Sequence, residues 1–254
     1  MHALPAGRTA ARTQGAADTW NPTLAEVEAL PHVMDIQEES SCLLRVLLAM
    51  LGGLNLRALT LHCCSYGAPG APGAPPQKHE LLTVERPCRP GMCLCCWPLD
   101  MRVYEHGAFG GGAPRALGSV REECSAGECA RQCCCCVCTH RLWAGPPGAR
   151  QTHRYSLRTG ICCCGRVNNC CGATCCKPNL IMDVLTPDGK LASTVQMAYG
   201  GAPGCEGCAR CAFDFNNYIV QFPEEASAED RALLIAAVMS VEYALFSRQG
   251  GENS

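Results

Sequence analysis

The sequence predicts a mainly β domain: an antiparallel sheet closed into a barrel around one hydrophobic helix near the C-terminus. Three observations predict it. Short stretches with period-two alternation recur along the chain, separated by Gly- and Pro-rich breaks. The segment Thr186-Pro187-Asp188-Gly189-Lys190 is a turn with a mechanism, since Pro presets φ and Gly supplies a positive φ between two alternating runs. The last regular segment, 228–246, is apolar on every side, as befits a helix enclosed by other elements or by lipid.

Taken in order, residues 1–32 show no periodicity and read as a tail. A domain then runs over 33–247, and 248–254 is a second tail. Residues 33–38 alternate like a strand. The apolar stretch 41–61 is broken by Arg45, Gly52, Gly53, Asn55 and Arg57, too often for a transmembrane helix. Residues 57–62 read as the second strand, and 67–76 (GAPGAPGAPP) as a solvated loop. Strands follow at 80–85 and 99–105, with Leu99, Met101 and Val103 set against Asp100, Arg102 and Tyr104. The run GAFGGGAP at 107–114 is a turn or loop. A short strand is expected at 117–121. Residues 122–152 are rich in Cys, Gly and Pro and read as an insertion, with the cysteines 133–138 as loop residues and His140 and His153 in loops near them. Strand character returns at 155–157 and 179–186. After the turn, Leu191, Ser193, Val195, Met197 and Tyr199 form one face of the return strand.

The closing helix has its own signals. Ser227 can cap it, and Glu229 and Asp230 suit its positive end. Its body carries Leu233, Leu234, Ile235, Val238, Met239 and Val241, bounded by Arg231 and Glu242. The uncharged stretch is about ten residues, short of the ~20 that a span needs. A helix wrapped by strands is therefore preferred over a membrane helix.

Composition narrows the function. The 254 residues are 48% hydrophobic and 17% charged, with net charge −2 and pI about 6.4. That excludes an intrinsically disordered acidic or basic chain and removes any general electrostatic case for nucleic-acid binding. The N-terminus has no apolar core of secretory type, so a reducing compartment is expected, where disulfides are rare. The 24 cysteines then need another use: metal, acylation or small apolar packing. Most stand side by side, and adjacent strand residues point to opposite faces, which is poor geometry for one ion. Only Cys205-x-x-Cys208-x-x-Cys211 has clean zinc spacing, with Cys170, Cys171, Cys175 and Cys176 as further donors. Contiguous cysteines suit S-acylation, which needs only exposed thiols near a membrane. No motif supports a Cys–His nucleophile, so no enzyme is expected.

Several stretches, in order, resemble the phospholipid scramblase family. They are Glu38-Glu39-Ser40-Ser41-Cys42 followed by Arg57-Ala58-Leu59-Thr60-Leu61; Leu82-Thr83-Val84-Glu85-Arg86-Pro87; Cys93-Leu94-Cys95-Cys96; and the segment from Asp214 to Pro223 before the apolar helix. The resemblance covers roughly residues 33–246. It implies a tubby-like closed antiparallel β-barrel around a hydrophobic C-terminal helix. It also implies calcium-stimulated, ATP-independent, bidirectional transbilayer movement of phospholipids, without covalent chemistry. Membrane phospholipids would be the partners, and the cytoplasmic face of the plasma membrane the location.

The resemblance implies palmitate on Cys93, Cys95 and Cys96, where two or more chains give stable anchoring and Trp97 suits the interface. It places a calcium segment on Asp214, Asn216, Tyr218, a carbonyl at Val220, and Glu225. Ile219 stands where a calcium loop has Gly, and carboxylates are few, so the affinity expected is low, about 10⁻⁴ M or worse. The Pro-rich N-terminal tail and basic nuclear-import segment of many members are absent, so neither SH3 or WW partners nor a nuclear role is expected. Two other readings stand beside transport. One is an acylated tubby-like adaptor that binds membranes without moving lipids; the other is a cysteine-rich zinc module organised by Cys205, Cys208 and Cys211.

Overall fold

Polar–apolar alternation becomes a meander of ten strands. The computed structural model describes residues 34–39, 58–66, 78–87, 100–107, 113–123, 125, 127–128, 137–160, 179–198 and 217–243. The strands are β1 (Asp35–Glu39), β2 (Leu59–Tyr66), β3 (Lys78–Arg86), β4 (Asp100–Glu105), β5 (Arg115–Glu122), β6 (Val137–Ala144), β7 (Thr152–Gly160), β8 (Asn179–Leu185), β9 (Leu191–Ala198) and β10 (Asn217–Val220). One helix, α1 (Ala228–Val241), follows. The strands pair strictly in sequence order, every neighbour antiparallel.

Register carries one inner face across the sheet. The ladder pairs Leu61 with Val84, Val84 with Val103, Met101 with Val120, Val120 with Leu142, Leu142 with Tyr155, Leu157 with Val184 and Met182 with Val195. All of these are buried, and α1 lies against them. The helix packs on β4, β5, β6 and β7. Leu233, Leu234, Val238 and Val241 are buried, whereas Ile235 and Met239 are half-buried. Each fully buried side chain of this size contributes about 1.5–3 kcal/mol relative to exposure, which accounts for a helix apolar all round lying inside a curved sheet. Helix and sheet meet tightly at Gly118, where a Cβ would lie 2.0 Å from the Trp143 carbonyl oxygen and 3.1 Å from Leu233 Cδ2.

The helix start follows its sequence signals. Ser227 caps it, and the Asp230 side chain returns the bond to the Ser227 amide, a reciprocal capping box. Asp230 also accepts two bonds from Arg154 of β7, both 2.9 Å, and Glu229 pairs with Arg115 of β5 at 2.9 Å. The turn between β8 and β9 also forms as read, with Gly189 at φ +80° and its amide donating to Thr186 O at 2.9 Å.

Three expectations are corrected. First, residues 137–144, within the expected insertion at 122–152, are a strand paired on both sides. Cys138, His140 and Leu142 face inward while Thr139 and Arg141 alternate with them; the inward imidazole reads as polar and the flanking Cys-, Gly- and Pro-rich stretches read as loop, so the period-two pattern was hidden. Second, His140 and His153 lie on strands β6 and β7 and not in loops, and Cys138 is a buried strand residue. Third, the sheet does not close: among the described residues β1 pairs only with β2 and β10 only with β9.

The C-terminal turn of α1 bridges that open seam. Tyr218 of β10 donates its hydroxyl to Glu242, and Tyr243 donates to Glu38 of β1 at 2.9 Å. The Arg86 guanidinium of β3 sits over the Tyr243 ring, 5.8 Å from its centroid. Side chains thus tie the two edge strands to one helix end.

Candidate functional site

A meander with antiparallel neighbours has two distinct ends. The odd-numbered strands finish, and the even-numbered strands begin, at the same end of the sheet. The contacts of Glu242 and Tyr243 with Tyr218, Glu38 and Arg86 put the C-terminus of α1 at that end. The capping contacts of Asp230 with Arg154 and of Glu229 with Arg115 put its N-terminus at the other.

The first end concentrates chemistry on the inner face. Glu122 closes β5, and Cys138 and His140 open β6, with Glu122 opposite His140 in the ladder. The Cys138 thiol donates to Glu122 Oε1 at 3.2 Å and stands 3.8 Å from His140 Nδ1. Cys138 is 3% exposed and His140 is fully buried. Burial pushes the His140 imidazole down to about 4, against the pull of the Glu122 carboxylate, so the ring is neutral at pH 7. Among the described residues its Nε2 has no hydrogen-bond partner, nor do the buried hydroxyls of Thr159 and Ser240. Chemically, the trio offers a thiol, a neutral imidazole and a carboxylate in a dry setting. Cys-x-His alternation is the only signal in the sequence that could have found it.

A second polar cluster lies on the outer face. His62 Nδ1 meets Glu80 at 2.5 Å and its Nε2 meets Glu39 at 2.9 Å. Thr83 donates to Glu80 at 2.6 Å, and His106 Nε2 stands 2.6 Å from the Thr83 hydroxyl. A carboxylate on each ring nitrogen favours the imidazolium form of His62. The hydrogen bond to Glu80 raises its pKa above the ordinary value, with Glu39 adding to the shift against burial. This network stitches β1, β2 and β3 together. Among the described residues no group of three or more His, Cys, Asp or Glu side chains is placed to hold a metal ion.

The calcium segment is partly placed. Tyr218 and Val220 are strand residues of β10, paired with Met197 and Val195. Ile219 pairs with Gln196, so this stretch is extended strand and does not make the sharp turn that a calcium loop has at this position. The Tyr218 hydroxyl is engaged by Glu242, and Glu225 is exposed in the turn before α1. Asp214 and Asn216 lie outside the described residues. So do Cys93, Cys95 and Cys96, in the β3–β4 connection, and Cys205, Cys208 and Cys211, in the β9–β10 connection. Of the six helix residues, Leu233, Leu234, Val238 and Val241 lie in the core and Met239 packs against it, while Ile235 is half-buried. No helix among the described residues is long and apolar enough to cross a membrane.

No family model, no curated protein and no solved structure matches this chain.

Proposed function

We propose that this chain is a scramblase-like membrane protein, a tubby-like sheet-and-helix module that acts on phospholipids without covalent chemistry. One observation carries the reading. The ordered resemblance of residues 33–246 to the scramblase family implies a closed antiparallel β-barrel around an apolar C-terminal helix, and the chain has a ten-stranded antiparallel sheet, open between β1 and β10, with α1 against its inner face. Acyl chains on Cys93, Cys95 and Cys96 would attach the module through the β3–β4 connection. Calcium would act on the β9–β10 connection and the start of β10, through Asp214 and Asn216 with Tyr218, Val220 and Glu225.

A second reading, an acylated adaptor without transport, is favoured by the burial of α1. Leu233, Leu234, Val238 and Val241 face sheet residues and are withheld from lipid. Transport through this helix requires it to leave the core.

Purified chain in vesicles carrying a fluorescent lipid, quenched from outside with and without calcium, separates the two. Transport predicts protein-dependent quenching beyond the outer-leaflet half, raised by calcium. Quenching that stops at half, with bound and folded protein, refutes transport and leaves the adaptor.

A further inference from the structure

β1 is an edge strand held largely by polar side chains. Among the described residues it pairs only with β2, over the five residues Asp35-Ile36-Gln37-Glu38-Glu39. Ile36 is the one apolar side chain of the strand, and it is half-buried against the core. With so little apolar area to bury, the free energy of opening β1 rests on its side-chain ties as well as on the ladder to β2. Glu39 meets His62 Nε2 at 2.9 Å, Lys78 donates to Gln37 at 2.6 Å, and Glu38 accepts from Tyr243 at 2.9 Å at the C-terminal end of α1.

His62 stands on β2 between carboxylates of the two strands that flank it. From β3, Glu80 Oε1 is 2.5 Å from Nδ1; from β1, Glu39 Oε2 is 2.9 Å from Nε2. The residues directly opposite His62 in the two ladders, Gln37 and Thr83, are uncharged. His106, which follows β4, lies 3.6 Å from Glu80, while Lys78 and Asp35 engage Gln37 and Tyr66 further along the face. An imidazolium donates to both carboxylates at once. A neutral ring keeps one N–H, and its other nitrogen turns a lone pair on a carboxylate. Glu80 is the nearer partner, is held by the Thr83 hydroxyl at 2.6 Å, and has a side chain 33% exposed, whereas that of Glu39 is 78% exposed. Glu39 is therefore the partner that water takes over when the ring loses a proton, and Glu39 belongs to β1.

We propose that β1 is a pH-controlled latch: the His62 imidazolium clamps it to β2 and β3, and loss of the ring proton lets it open, taking with it the Glu38–Tyr243 bridge to the end of α1. The hydrogen bond to Glu80 raises the His62 pKa above its ordinary value of about 6.5. The clamp is therefore complete below about pH 6.5 and is lost as pH rises through the higher folded value. Opening bares the main-chain edge of β2, which can then pair with another strand. It also unties the helix end from β1, while Tyr218 and Glu242 still hold that end to β10. None of this requires lipid transport.

Hydrogen exchange of the full chain between about pH 6 and about pH 9, with the base-catalysed intrinsic rate divided out, tests the latch. Protection of 35–39 is expected to fall about fivefold, the scale of one half-exposed charged hydrogen bond. Residues 239–243 follow at the same midpoint, and β4 to β7 stay protected. His62→Gln makes the protection of β1 low and flat across the range. His106→Gln, which leaves both carboxylates on His62, keeps the transition. Tyr243→Phe keeps it in β1 and removes it from the helix end. Should His62→Gln not fold, the ring resonances of His62 in the wild-type chain must titrate at the midpoint of β1 opening, a readout that needs no substitution. A change in β1 below about twofold overturns the latch. So does a midpoint away from the His62 titration, a transition that survives in His62→Gln, or an equal fall across β4 to β7, which is global unfolding. A helix end that still follows β1 in Tyr243→Phe overturns the bridge.

Discussion

Replacing Asp230 with alanine removes two sets of contacts from a buried position. The carboxylate completes the capping box of α1, accepts two 2.9 Å bonds from Arg154, and is itself 1% exposed. Loss of a capping partner costs about 0.5–2 kcal/mol, and hydrogen bonds to a charged group are worth about 1.5–3 kcal/mol. Arg154 keeps 43% of its side chain in water and resolvates after the change, so the two losses do not add fully. The expected destabilisation is about 2–4 kcal/mol. For a chain of this size that is a fall in Tm of roughly 4–16 °C, at about 2–4 °C per kcal/mol.

Acid gives a second readout. Hydrogen bonding from Arg154 lowers the Asp230 pKa, with burial opposing and Ser227 assisting. A depressed carboxylate contributes stability that is complete above its unfolded pKa and disappears as pH falls through the folded one. The gap between wild type and Asp230→Ala is therefore full at pH 7 and narrows below about pH 4. Thermal unfolding followed by circular dichroism at both pH values, with Arg154→Ala and the double variant, measures the coupling. A change below about 0.5 kcal/mol at pH 7, or a gap that does not narrow in acid, refutes the capping-and-pairing account.

Three further outcomes are expected. Gly118→Ala puts a methyl 2.0 Å from the Trp143 carbonyl and against Leu233, so the helix or β6 must shift; a loss of about 1–3 kcal/mol or more in denaturant unfolding is expected, and a neutral result would show that the packing there is looser than described. His62 has a raised pKa, so its ties to Glu39 and Glu80 hold fully below its unfolded value and are lost as pH rises through the folded one. The protection of β1 amides, with the base-catalysed intrinsic rate divided out, should fall as pH rises through the raised His62 pKa in the wild type and lose that dependence in His62→Gln; pH-independent β1 protection in the wild type would refute the tie. A calcium titration followed by Tyr or Trp emission should respond only at high concentration, and the response should vanish in Asp214→Ala; an unchanged response would remove that segment as the calcium site.

What could be read from the chain was local. The Pro-Asp-Gly turn, the Ser227 cap and the alternating faces of β4 and β9 depend on residues within a few positions of one another, and they formed as expected. The all-apolar segment also announced a helix that must be enclosed. Strand β6 was missed because its inward residues include His140, a polar side chain, and because the Cys-, Gly- and Pro-rich stretches on either side read as loop. Only the neighbours supplied by β5 and β7 show that they are buried.

Tertiary structure decided the rest, because it depends on contacts between distant residues. No spacing rule links Glu38 to Tyr243, 205 positions apart, or sets Arg154 on the cap of α1, 76 positions away. The seam is of this kind: whether β1 meets β10 is set by how far ten strands curve, and here helix side chains bridge the gap. So is the grouping of the cysteine-bearing connections. The sequence by itself determined which connections carry cysteine, and alternating strand direction made all of them join strand ends at the end of the sheet that holds the C-terminus of α1.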